Sequence, residues 1–122
     1  MKINIPLCPR TKKNHQRIAM KGGRHFVLPS SQYEEYEQSA LWYIRNPQKP
    51  INCPVCVKCL FYMETHRRVD LVNLQEAILD ILVKAGVLAD DNSNIVASMD
   101  GSRVLYDKEH PRTEIEIERI EE

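Results

Sequence analysis

The 122-residue chain lacks any apolar run long enough to span a membrane, and its N-terminus, MKINIPLCPR, lacks the continuous apolar stretch of a secretion signal. A cytoplasmic protein with no membrane partner is the expectation. No internal repeat and no biased tract occur, which excludes repeat architectures and low-complexity chains. With 43% hydrophobic and 28% charged residues the makeup is that of a folded protein, and the length predicts a single domain over residues 1–122, small enough to pair with a second copy. The most telling absence is local. Residues 1 to 33 contain no Asp or Glu, yet they hold Lys2, Arg10, Lys12, Lys13, Arg17, Lys21 and Arg24. The acids return at the other end, where residues 109 to 122 carry six glutamates against two arginines. A net charge of zero therefore conceals segregated charge, and a basic segment of this kind gains free energy on a polyanion by releasing its counterions.

Cysteine is scarce, and three of the four fall in CPVCVKC, where two C-x-x-C spacings overlap. The surrounding NCPVCVKCLFYM reads as a strand. Alternation then turns Cys53 and Cys59 one way and Cys56 the other, so the three cannot share a metal. A thioredoxin-like site needs a helix N-terminus, and a strand follows instead. A redox or metal module is rejected, and buried free thiols are expected.

Residues 2 to 7 predict a first strand, followed by a basic loop in which Gly22-Gly23 turns between two short extended pieces. Ser31-x-x-Glu34 has the form of a capping box opening a helix that stops near Asn46-Pro47, with Tyr33, Tyr36, Ala40, Leu41, Tyr43 and Ile44 inward. A central strand is expected over 53 to 63. A second helix runs from Leu71 to about Ala85, with Leu71, Leu74, Ile78, Ile81, Leu82 and Ala85 on one face and Gly86 beyond its end. A strand near 95 to 99, an Asp100-Gly101 hairpin turn and a last strand in TEIEIERI complete the chain. This order specifies an α+β domain, a mixed β-sheet flanked by two α-helices.

Acids bracket the second helix. Asp70 precedes it and Asp90-Asp91 follows it, positions where short carboxylates also serve as a cap and a turn. Asn73 and Asp80 fit a solvated helix face, and the four histidines sit in loops without a cysteine at metal spacing. The joint pattern carries more. Arg67-Arg68-x-Asp70-Leu71-x-Asn73-Leu74-Gln75, then Lys84-Ala85-Gly86, then Asp90-Asp91, resembles the RusA family of Holliday junction resolvases. The likeness is strongest over 67 to 96 and extends more weakly to Pro9, Asn14 and Arg24 and to the Ile-rich last strand.

The resemblance implies a homodimeric endonuclease that uses Mg2+, with Mn2+ as the alternative, to nick opposed strands of a four-way DNA junction symmetrically. It implies Asp70 and Asp91 as catalytic metal ligands. No nucleotide cofactor is expected. The chain departs from the family pattern twice, with Val72 in place of an aspartate and Glu76 in place of a common lysine. Residues 72 and 76 are neighbours at i and i+4, so Glu76 is the candidate replacement ligand. Arg10, Lys12, Lys13, Asn14, Arg17, Lys21, Arg24, Arg67 and Arg68 are the candidate DNA contacts, positioning phosphate rather than reading bases. Should Val72 weaken the site, the alternative is a dimer that binds branched DNA and cuts it little or not at all.

Leu71 to Ala85 rises roughly 21 Å, while the six steps from Ala85 to Asp91 span at most about 20 to 22 Å even fully extended. Asp91 is thus not expected to return to Asp70 of its own chain, and composite sites across a dimer are expected.

Overall fold

The computed structural model describes residues 1–13, 17–28, 30–45 and 48–120, without the side chain of Arg17. The sheet is organised by β4 (Val55–Met63), whose alternate residues Val55, Val57, Cys59 and Phe61 are all buried. On one side β4 pairs antiparallel with β7 (Arg112–Arg119), which in turn pairs antiparallel with β1 (Lys2–Ile5). Opposed residues of an antiparallel pair share a face. Val57 with Ile117, Cys59 with Ile115 and Phe61 with Thr113 therefore build the inner face, where Ile115 and Ile117 point inward as the alternation of TEIEIERI requires. Lys58 opposite Glu116 and Leu60 opposite Glu114 lie on the outer face.

Both helices cover that inner face: Tyr36, Ala40 and Ile44 join Leu74, Ile78, Ile81 and Leu82 in one core with the strand residues. No helix among the described residues covers the outer face, which holds a cleft of about 360 Å³ lined by residues including Lys2, Asn4, Lys58, Leu60 and Glu116. No helix among the described residues is long and apolar enough to cross a membrane.

Helix α1 (Ser31–Tyr43) begins one residue earlier than the capping-box reading. Ser30, not Ser31, is the cap: its Oγ accepts from the Tyr33 backbone N–H at 3.1 Å. Tyr33 thus occupies the third helical position and Glu34 the fourth, which is one place beyond the register of a capping box. Burial of Tyr33, Tyr36 and Ala40 fixes this phase, whereas Tyr43, expected inward, is half exposed. The expected stop near Asn46-Pro47 lies outside the described residues. Helix α2 (Leu71–Lys84) follows its expected face closely, and Gly86, at φ 75°, ends it in the left-handed conformation that favours glycine.

The predicted Asp100-Gly101 hairpin is absent. β5 (Val96–Ser98) and β6 (Arg103–Tyr106) both pair parallel to β4, so they are successive lengths of one edge running the same way. Asp100-Gly101 makes a jog between them. The Ser102 backbone N–H donates to Met99 O at 3.1 Å, and Ser102 Oγ accepts from the Cys59 N–H at 2.9 Å, which splices the interrupted edge back onto β4. Pairing with β4 outweighs the local hairpin signal of Asp-Gly. The Gly22-Gly23 turn forms as expected, at φ 60° and 78°, joining β2 (Arg17–Lys21) to β3 (Arg24–Leu28) in a separate two-stranded sheet. Among the cysteines Cys59 is buried, while Cys8, Cys53 and Cys56 are half-buried, which corrects the expectation of buried thiols throughout; no disulfide links them. Cys53 precedes the strand, and Cys56 falls on the outer face, which no helix among the described residues covers.

Candidate active site

Asp70 stands at the N-cap of α2 with extended backbone, φ −87° and ψ 122°, yet its side chain makes no cap bond. The backbone carbonyl of Asp70 accepts from the N–H groups of Asn73 and Leu74, closing the first turn. Among the described residues its carboxylate receives a single 3.3 Å bond, from Asn73 Nδ2, and Asp70 is exposed. A capping aspartate spends its oxygens on the N–H groups of the first turn. Asp70 keeps them available, at the electropositive end of a helix.

Beside Asp70 the loop after β4 meets the segment after β1. Cys8, Pro9, Arg10 and Thr11 on one wall, and Met63 to Thr65 with Arg67, Arg68 and Val69 on the other, enclose a recess of about 330 Å³. Thr11 and Pro9 are buried and hold the first wall in place, so Arg10 is brought to Arg67 and Arg68 from far away in sequence. Among the described residues none of these three arginines has an ion-pair partner. With three arginines against Glu64 the recess carries net positive charge, suited to a phosphate oxygen, and Asp70 follows its last lining residue, Val69.

At the other end of α2 the two adjacent aspartates divide the work. Asp90 Oδ1 accepts from the Asp91 backbone N–H at 2.7 Å and Asp90 Oδ2 from Asn92 Nδ2 at 3.2 Å, so Asp90 builds the turn. Asn92 Oδ1 continues it by accepting from the Asn94 N–H at 2.9 Å. The Asp91 carboxylate is exposed and has no partner among the described residues. Turn geometry thus accounts for Asp90 and leaves Asp91 unexplained.

The topology keeps Asp70 and Asp91 of one protomer apart. Asp70 follows the C-terminal end of β4, α2 runs back for roughly 20 Å at 1.5 Å per residue, and Leu88 then bridges to Ile51, ahead of the start of β4. Asp91 lies between that bridge and Val96, the partner of Val55. The two acids occupy opposite ends of the domain. Accordingly, no group of three or more His, Cys, Asp or Glu side chains that would hold a metal occurs among the described residues. The donors themselves suit a hard divalent cation, being carboxylate oxygens with uncommitted lone pairs.

Val72, where the resemblance implies an acid, is 68% exposed. Glu76 lies one turn further along and is within 3.8 Å of Lys13 Nζ. Lys12 pairs with Asp80, the next acid on that face, and its ammonium lies 5.9 Å above the Tyr33 ring. The N-terminal segment is in this way strapped along the polar side of α2, an arrangement the sequence reading missed because it treated these lysines as free. Burial, with help from Glu37, pushes the Tyr33 hydroxyl upward, and the group donates to the Ala77 carbonyl at 3.4 Å. Lys84 donates to Glu37 at 2.7 Å, at the end of α2 remote from Asp70. Lys21 and Arg24 face each other in register at the tip of the β2–β3 hairpin; Arg17 opens β2. Asn14 lies outside the described residues.

Comparison with known proteins adds lineage to this geometry. A curated relative, crossover junction endodeoxyribonuclease RusA of Aquifex aeolicus (strain VF5), is 29% identical over 82 residues, taking in 66% of this chain and 64% of the relative, so the match spans less than two thirds of that protein. The sequence model of the family described as endodeoxyribonuclease RusA matches residues 6–118, nearly the whole domain, and the chain belongs to the RusA family.

Proposed function

We propose that this protein is a structure-selective DNA endonuclease that resolves four-way junctions by nicking opposed strands, working as a homodimer with Mg2+ or Mn2+. The observation that carries the reading is the Asp70 carboxylate, held at a helix N-cap without capping it, one residue beyond Val69, which lines the recess of Arg10, Arg67 and Arg68. Asp70 of one protomer and Asp91 of the other are the proposed metal ligands. Glu76 is the proposed third acid, standing in for the aspartate absent at 72; to serve, it leaves an exposed 3.8 Å contact with Lys13, which costs little. When bound, the ion polarises a phosphate and lowers the pKa of an attacking water. The arginines of the recess hold the phosphate and fix which linkage faces the acids. Lys21 and Arg24 extend the basic track along the hairpin and Lys12 and Lys13 contribute from the strap, with Arg17 and Asn14 as further proposed DNA contacts on their residue type.

The test is a synthetic four-way junction incubated with protein in magnesium and in EDTA. Paired nicks in magnesium, lost in EDTA and in Asp70→Asn, are expected; uncut junction under every condition refutes the endonuclease. A second reading, a branched-DNA binder with feeble cleavage, is favoured by one observation, the exposed Val72 at a position where an acid belongs. It predicts a shifted, uncut junction in both buffers. Glu76→Gln tests the third ligand, since a nicking enzyme that tolerates it does not use Glu76.

A further inference from the structure

The hairpin of β2 and β3 stands apart from the rest of the fold. It forms its own two-stranded sheet, and no side chain of residues 17–28 described in the structure joins the apolar core. Its pairing sorts the side chains onto two faces. Ile18 lies opposite Val27 and Met20 opposite His25 on one face, while Ala19 opposite Phe26 and Lys21 opposite Arg24 belong to the other. The first face is the more open: Ile18, Met20 and Val27 are 74%, 68% and 64% exposed, against 43% for Phe26. Two strands alone are marginal in water, and aliphatic side chains left in contact with it gain free energy from a partner that covers them. A contiguous apolar face rimmed by charge is the mark of an interaction surface.

The tip supplies that charge. Gly22-Gly23 make a two-residue turn, so Lys21 and Arg24 are held directly opposite one another, and among the described residues no acid pairs with either. Like charges in that relation repel, and an anion set between them removes the repulsion. Lys13, four residues before β2, has its Nζ 3.8 Å from Glu76, so the hairpin begins no more than about 14 Å of chain away from the acid-bearing side of α2.

We propose that the face of Ile18, Met20 and Val27 is a wedge for the branch point of a DNA junction, covering base faces that unstack where the arms cross while Lys21 and Arg24 hold the phosphates beside them.

Duplex DNA offers phosphates everywhere but hides its base faces in the stack. A branch point exposes some of them at a lower unstacking cost, and aliphatic side chains and methionine are among the types that proteins insert at opened base steps. Selectivity for structure over sequence follows: the tip and the recess bind any phosphate, and the apolar face gains only at the crossing. The charges argue against a second copy as the occupant. Two hairpins set face to face would bring their tip cations together, and residues 1 to 33 supply no acid to separate them.

This inference rests on the junction-resolving reading, and its test is run in EDTA so that it reads binding alone. Synthetic four-way junctions carry 2-aminopurine either beside the branch point or within an arm. The full-length protein at saturation is expected to raise the fluorescence beside the branch point and to leave the arm label unchanged. Ile18→Thr/Val27→Thr keeps β-branched side chains, and hence the strand preference; it is expected to abolish the rise and to weaken junction binding at least about tenfold, with duplex binding unchanged. Met20 gives a reading that needs no substitution. Being exposed, it should be oxidised readily by peroxide in the free protein, and junction DNA, but not duplex, should protect it, as peptide mass spectrometry would show. An unchanged rise in Ile18→Thr/Val27→Thr, equal weakening on duplex, a rise in the arm label, or Met20 protected as well by duplex, by phosphatidylglycerol vesicles or by concentrating the protein without DNA overturns the wedge. Junctions opened at the branch point in EDTA yet left uncut in magnesium overturn the endonuclease and leave the wedge standing, and junctions that are cut while Met20 stays open to peroxide do the reverse.

Discussion

Two helices in this domain begin with a residue suited to capping, and only the first puts it to that use. Ser30 makes its bond to Tyr33 in a buried setting, whereas Asp70 makes none. Ser30→Ala should therefore cost about 1–2 kcal/mol. For a chain of this length unfolding entropy converts each kcal/mol into about 4 °C, so a fall of roughly 4–8 °C is expected. Asp70→Asn has no cap bond to lose and keeps an oxygen to accept from Asn73. What it gives up is the attraction of an exposed carboxylate to the helix N-terminus, about 0.3–0.5 kcal/mol, or under roughly 2 °C. Thermal unfolding followed by circular dichroism supplies one axis and junction nicking the other. The expected outcome is a cross: Ser30→Ala less stable and active if assayed well below its melting point, Asp70→Asn nearly as stable as the parent and inactive. Should Asp70→Asn fall as far as Ser30→Ala while still nicking, Asp70 is a cap and the chemical role assigned to it is wrong.

Mixing Asp70→Asn with Asp91→Asn protein should restore activity that neither has alone, because a heterodimer holds one intact composite site; an inert mixture after confirmed subunit exchange argues for sites within single protomers. Arg112 bonds Asp107 at 2.8 Å and Glu114 at 2.6 Å while lying 3.7 Å from the Tyr62 ring, and its side-chain bond to Asp107 is the main cause holding that carboxyl below its ordinary value of 3.8. A carboxyl depressed on folding stabilises the fold above its unfolded pKa and ceases to do so as the pH falls through its folded one. Asp107→Asn should accordingly lower the melting temperature at pH 7, with a deficit that shrinks as the pH falls below that ordinary value, and a deficit independent of pH would refute the pairing. Burial pushes the Cys59 thiol up to about 12, so at pH 8 an alkylating agent should modify Cys8, Cys53 and Cys56 well before Cys59, as peptide mass spectrometry would reveal.

The parts of this fold that were legible in the sequence are those settled by neighbours along the chain. Helical spacing from 71 to 85 and the alternation of 113 to 118 each bury one set of side chains whatever surrounds them. The errors fell where a local signal met a distant one. Ser30 and Ser31 are equally good caps in isolation, and the choice belongs to Tyr33, Tyr36 and Ala40, which need one helix phase to reach the sheet. Asp100-Gly101 is a strong hairpin signal, but β4 offers both flanking segments a parallel partner, and the turn becomes a jog.

The candidate site shows the same division with a chemical consequence. Counting lysines and arginines in an acid-free segment cannot reveal which of them meet acids from elsewhere; Lys12 and Lys13 do, on Asp80 and Glu76 of α2. These contacts partly neutralise the strap, and they leave Arg10, drawn out of the same segment to Arg67 and Arg68, among the cations with no ion pair among the described residues. Adjacent aspartates are likewise equivalent on paper until the turn at 90 claims one of them. Folding thus acts as a filter on charge: it consumes the side chains that can satisfy one another within a protomer. Asp70, Asp91 and the three arginines of the recess pass through that filter at opposite ends of a helix, and in the proposed enzyme a second copy and a phosphate are what they serve.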